Sequence, residues 1–267
     1  MQTDNPQFDT LQVRHDSRGV ATLTLARADK HNALNAQMIS ELRHAARLLG
    51  DDESVRVVVL AAAGRSFCAG GDLGWMREQA RHDRTTKIAA STELARMLQD
   101  VDSLSKPVIA KVQGPAYGGG LGMLSVCDIV VAADSTKFGF TETRLGLIPA
   151  TIGPYVVRRL GEGCARRVFM NARIFSAHDA LDLGLVSQIV PATELDSAVE
   201  REAVQFLACA PGAVAEAKAL CLYLARNPGA QQLAYTAERL AERWETEEGQ
   251  EGIAAFFTQR KPRWVKD

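Results

Sequence analysis

Two segments of this chain share one design: a strand that reads as buried on both faces runs directly into a glycine-dense turn and then into a helix. They are VVVLAAAGRSFCAGGDL (57–73) and VIAKVQGPAYGGGLGML (108–124). A near-continuous β-branched run such as VRVVVLAAA (55–63) is the kind covered on both sides in a parallel sheet, which needs helical crossovers between its strands. The flanking text supplies them. GVATLTLAR (19–27) alternates and reads as a strand. ADKHNALNA follows as a loop, and Met38, Ile39, Leu42, Ala45 and Leu48 then recur at helical spacing between about Asn35 and Leu49. TTKIAASTELARMLQDVDSL is helical, KPVIAKVQG (106–114) is a third strand, and IVVAAD a fourth. Strand, helix, strand at this spacing predicts right-handed crossovers and an α/β layered core.

Beyond about residue 190 the pattern changes. LDSAVEREAVQFLACA, GAVAEAKALCLYLARN and LAYTAERLAERWETEEGQEGIAAFFTQRK are amphipathic helices with no strand signal between them. The boundary is read near Pro191 or Pro211, with a core at 1–195 and a helical C-terminal region at 196–267. No internal repeat or low-complexity segment is present.

Composition excludes several classes. The 267 residues carry 31 Lys and Arg against 32 Asp and Glu, so the phosphate-neutralising excess of a nucleic-acid binder is missing. The five cysteines (Cys68, Cys127, Cys164, Cys209, Cys221) are scattered and never spaced C-x-x-C. A disulfide framework and a zinc site are therefore not expected, and a reducing cytoplasm fits. His15, His44, His82 and His178 show no metal-ligand spacing either. No apolar run reaches the roughly 20 residues that span a bilayer. The N-terminus, mixed in charge, lacks the apolar stretch of a signal peptide.

Glycines in the two turns let the backbone approach a ligand and take positive φ. The first amides of the helix that follows have no internal partner and carry partial positive charge, which suits a developing anion. A phosphate cradle is one reading, but neither turn matches G-x-x-x-x-G-K-[ST] or G-x-G-x-x-G with a placed acid. A structural turn is another. Two such turns on neighbouring strands favour an oxyanion hole with two donors, each worth about 3 kcal/mol of barrier.

Together with RADKHNALN, FCAGGDL, KPVIAKVQGPAYGGGLGML, CDIVVAADSTKFGFTETRLGLIPATIG and A-x-D-A-L-D-L-GLV, these turns make the chain resemble the crotonase (enoyl-CoA hydratase/isomerase) superfamily over almost its whole length. The resemblance implies an α/β fold: a crotonase-like ββα spiral core of stacked sheets, with a helical C-terminal region for trimerisation and a homotrimer or a hexamer built as a dimer of trimers. It implies an acyl-CoA substrate, with coenzyme A entering as part of that substrate and no separate cofactor or metal. Its oxyanion amides fall on Gly71 and Gly119, and its second catalytic glutamate on Glu142. The first glutamate position matches Gly122, so one carboxylate of the usual hydratase pair is absent. A substrate carrying its own carboxylate would help position water or proton; alternatively Glu142 works alone as a shuttle, as isomerases of the superfamily do.

Glu142, set between apolar FGF and apolar LGLIP, is expected to be half-buried, which raises a carboxyl's pKa toward proton-transfer range. AYGGGLGMLSVCD, TETRLGLIPATIGPYVVRRLGEGCARR and EGQEGIAAFFTQRKPRW are similar to bacterial hydratases of branched glutaconyl-CoA esters, the 3-methylglutaconyl-CoA hydratases. That implies hydration of a branched or carboxylated enoyl-CoA, with a double-bond isomerase as the alternative. For the coenzyme, the resemblance implies Lys30, Ala33, Ala69, Gly70, Asp72, Leu73, Tyr117, Gly118 and Lys261. Lys30 otherwise reads as a solvated loop lysine, Asp72 as the cap of a helix beginning near Leu73, and Lys261 as a solvated tail residue. Trp75 and Met76 read equally as acyl-pocket wall and as core. His31 reads as a loop histidine, Cys68 as a small hydrophobe, and Arg144 as half of a helix-edge ion pair. Ser66 and Ser125 lack a G-x-S-x-G elbow.

Overall fold

The computed structural model describes residues 8–266. The chain enters the fold as β1 (Leu11–His15) and β2 (Val20–Leu25), passes through α1 (Ala36–Asp51), and the β-branched run follows as β3 (Val57–Ala62). Then come α2 (Leu73–Arg81), α3 (Arg84–Asp102), β4 (Val108–Val112), β5 (Ala116–Tyr117), α4 (Gly119–Ser125), β6 (Ile129–Ala133) and β7 (Lys137–Gly139). After a 3₁₀ turn at Glu142–Leu145 the chain forms α5 (Gly153–Leu160), α6 (Glu162–Phe169), β8 (Ile174–Ser176), α7 (Ala177–Asp182) and β9 (Gln188–Val190). It ends in α8 (Leu195–Leu207), α9 (Pro211–Arg226), α10 (Gln231–Glu245) and α11 (Glu247–Phe257).

The main sheet has six strands in the order β1-β2-β3-β4-β6-β9. Only the β1–β2 pair is antiparallel; β3 lies at registers such as Leu23↔Leu60 and Val58↔Val108. Burial on both faces of β3 has a direct cause. Val58 and Leu60 point into the core shared with Met38 and Leu42 of α1 and Met97 and Leu98 of α3. Val57 and Val59 point the other way, onto Leu195, Ala198, Val199 and Ala203 of α8. A strand covered by helices on both sides has no polar face to alternate, which is why it reads as a continuous apolar run. The domain boundary read at 195/196 falls in the first turn of this sheet-packed helix.

α1 begins where Asn35 caps it, its side chain accepting from the Met38 amide at 2.9 Å. The helical face differs by one step from the expected one: Leu48 is exposed, and Ala46 and Leu49 are buried in its place. The C-terminal stretch 233–261, expected as one helix, is two. Thr246 takes an extended ψ of 153°, caps α11 through Gly249 N–H, and donates its hydroxyl to Arg243 C=O. A second sheet, β5-β7-β8, has strands too short to show a period. Buried Asp102 accepts from Arg158 of α5 and Arg226 of α9, tying the C-terminal helices to α3. Among the described residues, no single helix is long and apolar enough to cross a membrane.

Candidate active site

The two glycine turns lie against each other. Cys68 and Ala116 form a parallel bridge, and Tyr117 N–H donates to Cys68 C=O at 2.9 Å. Gly70 and Gly118 sit at φ +89° and +48°, and a Cβ on Gly70 would lie 3.2 Å from Tyr117 O and 3.9 Å from Gly118 Cα. A Cβ on Gly120 would lie 2.9 Å from both Cβ and O of Cys68. The close approach of the backbones therefore requires glycine.

This contact frees two amides. Leu34 bridges the first turn by donating to Gly70 C=O and accepting from Asp72 N–H, so the N–H of Gly71 between them is turned out of the ladder. Gly119 is the first residue of α4, where an N–H has no intrahelical partner. Among the described residues neither amide enters a backbone hydrogen bond, and both residues line one cavity of about 420 Å³.

Glu142 lines the same cavity. Buried Phe140, edge-on to Phe169 at 4.8 Å, anchors the chain just before it, and Leu147 N–H closes the 3₁₀ turn onto Glu142 C=O at 3.1 Å. Its carboxyl is half-buried over the second turn, with Oε1 3.1 Å from the point a Gly118 Cβ would occupy. Oε2 is buried and has no hydrogen-bond partner. Burial pushes its pKa above the ordinary glutamate value, opposed only by its own backbone N–H. An unpaired buried carboxyl beside open amides can hold a proton and exchange it with a ligand in the cavity.

No second carboxyl faces it. Among the described lining residues Glu142 is the only acid, and the space beside Gly122 is filled by Ile152, whose Cγ2 lies 2.4 Å from an ideal Gly122 Cβ. Trp75 and Met76 line the cavity while partly buried, so both of their readings meet: Met76 Sδ lies 3.1 Å from the point a Gly71 Cβ would occupy. Among the described residues there is no group of His, Cys, Asp and Glu that could hold a metal ion.

The residues expected around the coenzyme divide. Ala33, Ala69, Gly70, Tyr117 and Gly118 all belong to the loop and turns just described, with Ala69 N–H bonded to His31 C=O at 3.0 Å. Leu73, beside them at the start of α2, is 79% exposed, an apolar side chain with nothing over it. Lys30 is exposed on the 3₁₀ turn 28–30. Lys261 is exposed on the tail after α11 and does not line the cavity. The side chain of Asp72 caps α2 through Gly74 and Trp75 amides and pairs with Arg27 at 3.0 Å. Burial raises its pKa, but those amides and the guanidinium outweigh it and hold it below the usual carboxylate range.

Two residues that hold this region together escaped the sequence. Asn32, 0% exposed at φ +53°, accepts from Arg27 N–H and donates to Ala63 and Ser66 carbonyls at 2.8 and 2.9 Å. Arg27 donates to Ala33 C=O at 2.6 Å as well as to Asp72. The only signal for either was its place in RADKHNALN. His31 contacts Ser66 Oγ (3.0 Å) and Arg65 (3.1 Å) rather than standing alone. Arg144 departs from expectation: on the 3₁₀ turn at Glu142–Leu145 it is exposed and, among the described residues, forms no ion pair. Cys68 is fully buried with its thiol pushed up to about 12, an inert hydrophobe, and buried Ser125 donates to Leu121 C=O within α4.

Comparison with known proteins gives the family and the fold. The family model described as enoyl-CoA hydratase/isomerase matches residues 15–267. A mouse mitochondrial methylglutaconyl-CoA hydratase is 32% identical, over 96% of this chain and 83% of that protein. The crystal structure of an enoyl-CoA hydratase from Shewanella pealeana superimposes with a TM-score of 0.93 at 39% identity, covering 97% of each chain. That of an enoyl-CoA hydratase from Mycobacterium smegmatis gives 0.91 at 34% identity, covering 96% of this chain and 99% of its own. The fold is the crotonase fold, and the chain belongs to the enoyl-CoA hydratase/isomerase family of enzymes.

Proposed function

We propose that this enzyme adds water across the 2,3 double bond of an enoyl-CoA thioester whose acyl group is branched or carboxylated, such as 3-methylglutaconyl-CoA. The observation that carries the reading is the meeting of two unbonded glycine amides and one unpaired, half-buried carboxyl on a single cavity. The mouse relative's name supports the choice of acyl group, at 32% identity.

In this reading the thioester oxygen accepts from Gly71 N–H and Gly119 N–H. Ionised Glu142 takes a proton from water as its oxygen attacks C3, and the electron pair of the double bond moves to an enolate held by the two amides. Protonated Glu142 then returns the proton to C2, so one water is added and the carboxylate is regenerated. Preorganised amides act where the charge develops and need no reorientation at that moment. Ala69, Gly70, Leu73, Tyr117 and Gly118 would line the coenzyme's arm, with Lys30 and, from a neighbouring subunit, Lys261 reaching its phosphates. Exposed Leu233, Leu240, Trp244, Phe256 and Phe257 on and after α10 support assembly through the C-terminal helices. An isomerase would use the same carboxyl; hydration is favoured because the relatives compared above carry hydratase names.

The test is loss of the conjugated enoyl-thioester absorbance with crotonyl-CoA and 3-methylglutaconyl-CoA. The wild type should consume both, faster with the second. Glu142→Gln should slow turnover by about 10³-fold while leaving acyl-CoA affinity nearly intact. A near wild-type rate in that variant removes Glu142 from the chemistry. Gain of conjugation from a 3-enoyl ester, without hydration, replaces the reading with isomerisation.

A further inference from the structure

The acyl cavity has a charge pattern that neither the two amides nor Glu142 explains. Among the described residues its wall holds one cation, Lys87, on α3. Lys87, Ala90, Ser91 and Leu94 follow one another at steps of three, one and three, a single helical face turned to the cavity. Gln79 arrives from α2. The remaining wall around these groups is largely apolar, built from side chains such as Leu94, Leu147, Ile148 and Pro149.

The exposed Lys87 ammonium has only a minor electrostatic role in the fold: it adds a small pull to the Thr86 hydrogen bonds that hold the Asp83 carboxyl below its ordinary pKa. Among the described residues it has no hydrogen bond and no ion pair. Asp83, one turn earlier, points Oδ1 back to cap α3 through Thr86 N–H at 2.7 Å. Glu142 lies elsewhere on the wall, and only burial and its own amide shift it, so the ammonium is not its counter-ion. A cation on a flexible stem at the mouth of an apolar cavity loses little hydration when empty. It meets an anionic ligand in a medium less screening than water.

Resting on the hydratase reading above, we propose that Lys87, with Gln79 and Ser91 beside it, receives a carboxylate at the far end of the acyl group and so selects dicarboxylic thioesters. The ammonium supplies charge, and the amide and hydroxyl supply donors for the second oxygen. This chooses between the two remedies for the absent carboxylate, a substrate carboxylate that helps position water or proton and a Glu142 that works alone. Held by Lys87, the substrate carboxylate is not free to grip the attacking water, and Glu142 handles the proton alone.

The test compares affinities of two saturated thioesters that cannot react, glutaryl-CoA and its neutral counterpart pentanoyl-CoA, by titration calorimetry. Wild type should bind glutaryl-CoA about tenfold more tightly, and the advantage should shrink as salt is added. Lys87→Met should bring the ratio to about one, and Lys87→Glu should invert it. Because each ratio is taken within one protein preparation, a partly unfolded variant does not mimic the effect. A wild-type ratio of one, or a ratio unchanged in Lys87→Met, overturns the proposal. Hydration of 3-methylglutaconyl-CoA is scored separately: its absence sinks the hydratase reading whatever the affinity ratio, and its presence does not rescue a failed ratio.

Discussion

Ile152 occupies the space that any side chain on Gly122 would need: an ideal Cβ there lies 2.4 Å from Ile152 Cγ2 and 2.9 Å from Ile152 Cβ. Both residues are buried, Gly122 inside α4 and Ile152 just before α5. Gly122 and Ile152 are therefore a matched pair, and a side chain at 122 alone is blocked unless Ile152 gives way. Gly122→Ala should destabilise by about 1–3 kcal/mol, the usual cost of overpacking. Ile152→Ala should cost about 2–5 kcal/mol through the cavity it leaves. The double variant should be more stable than the sum of the two, by a coupling of about 1 kcal/mol or more in urea denaturation. Simple additivity would mean that the helix slides to accept a side chain and that the pairing has no energetic content.

Glu142 makes a second prediction, about stability rather than rate. Burial raises its folded pKa above the ordinary 4.5. The folded state therefore prefers the protonated carboxyl, and that contribution to stability is complete below the unfolded value and lost as pH rises through the folded one. Glutamine has no proton to lose. The melting temperature of Glu142→Gln relative to wild type should thus climb as pH rises above 4.5 and be flat below it. A difference that does not change between about pH 4 and pH 8 would mean the carboxyl is solvated in both states.

Much of this architecture was legible because its cause is local. β3 and β4 announce themselves through β-branched residues covered on both faces, and Gly70, Gly71, Gly118 and Gly119 through glycine-dense turns that follow a buried strand. Gly122 stood out as a departure, but Ile152, its partner, did not, since a pairing 30 residues away leaves no periodic trace. The second sheet was missed for a related reason: Ala116–Tyr117 and Lys137–Gly139 are too short to alternate and are defined only by their partners. The break at Thr246 lies within an unbroken helical pattern, and only the hydroxyl's two hydrogen bonds reveal that it ends one helix and starts another.

Asn32 and Arg27 belong to the same non-local class, and they yield a third prediction. The Asn32 side chain makes three buried hydrogen bonds that join the 28–33 loop to the 63–66 turn. Asn32→Ala leaves one amide and two carbonyls without those partners, each costing about 1–3 kcal/mol if water does not reach it. It also places alanine at φ +53°, a conformation asparagine tolerates better. The loop borders the coenzyme path proposed above and not the carboxyl, so the KM for the thioester should rise about tenfold while kcat changes less. A fall in kcat with KM unchanged would place the loop's effect on the chemistry instead.

The lone carboxyl carries a stereochemical consequence. With Ile152 closing the place beside Gly122, Glu142 is the only acid on the cavity wall among the described residues. If one carboxyl both takes the proton from water and returns it to C2, hydroxyl and hydrogen must add to the same face of the double bond. In the proposed mechanism an enolate held by the Gly71 and Gly119 amides would not turn over between the two events. Hydration of crotonyl-CoA in D₂O should therefore give a single diastereomer of 2-deutero-3-hydroxybutyryl-CoA, with deuterium and hydroxyl added syn, as read from the proton coupling across C2–C3. A mixture of diastereomers would mean that bulk water protonates a released enolate. Clean anti addition would require a second proton donor, and among the described lining residues Glu142 is the only acid.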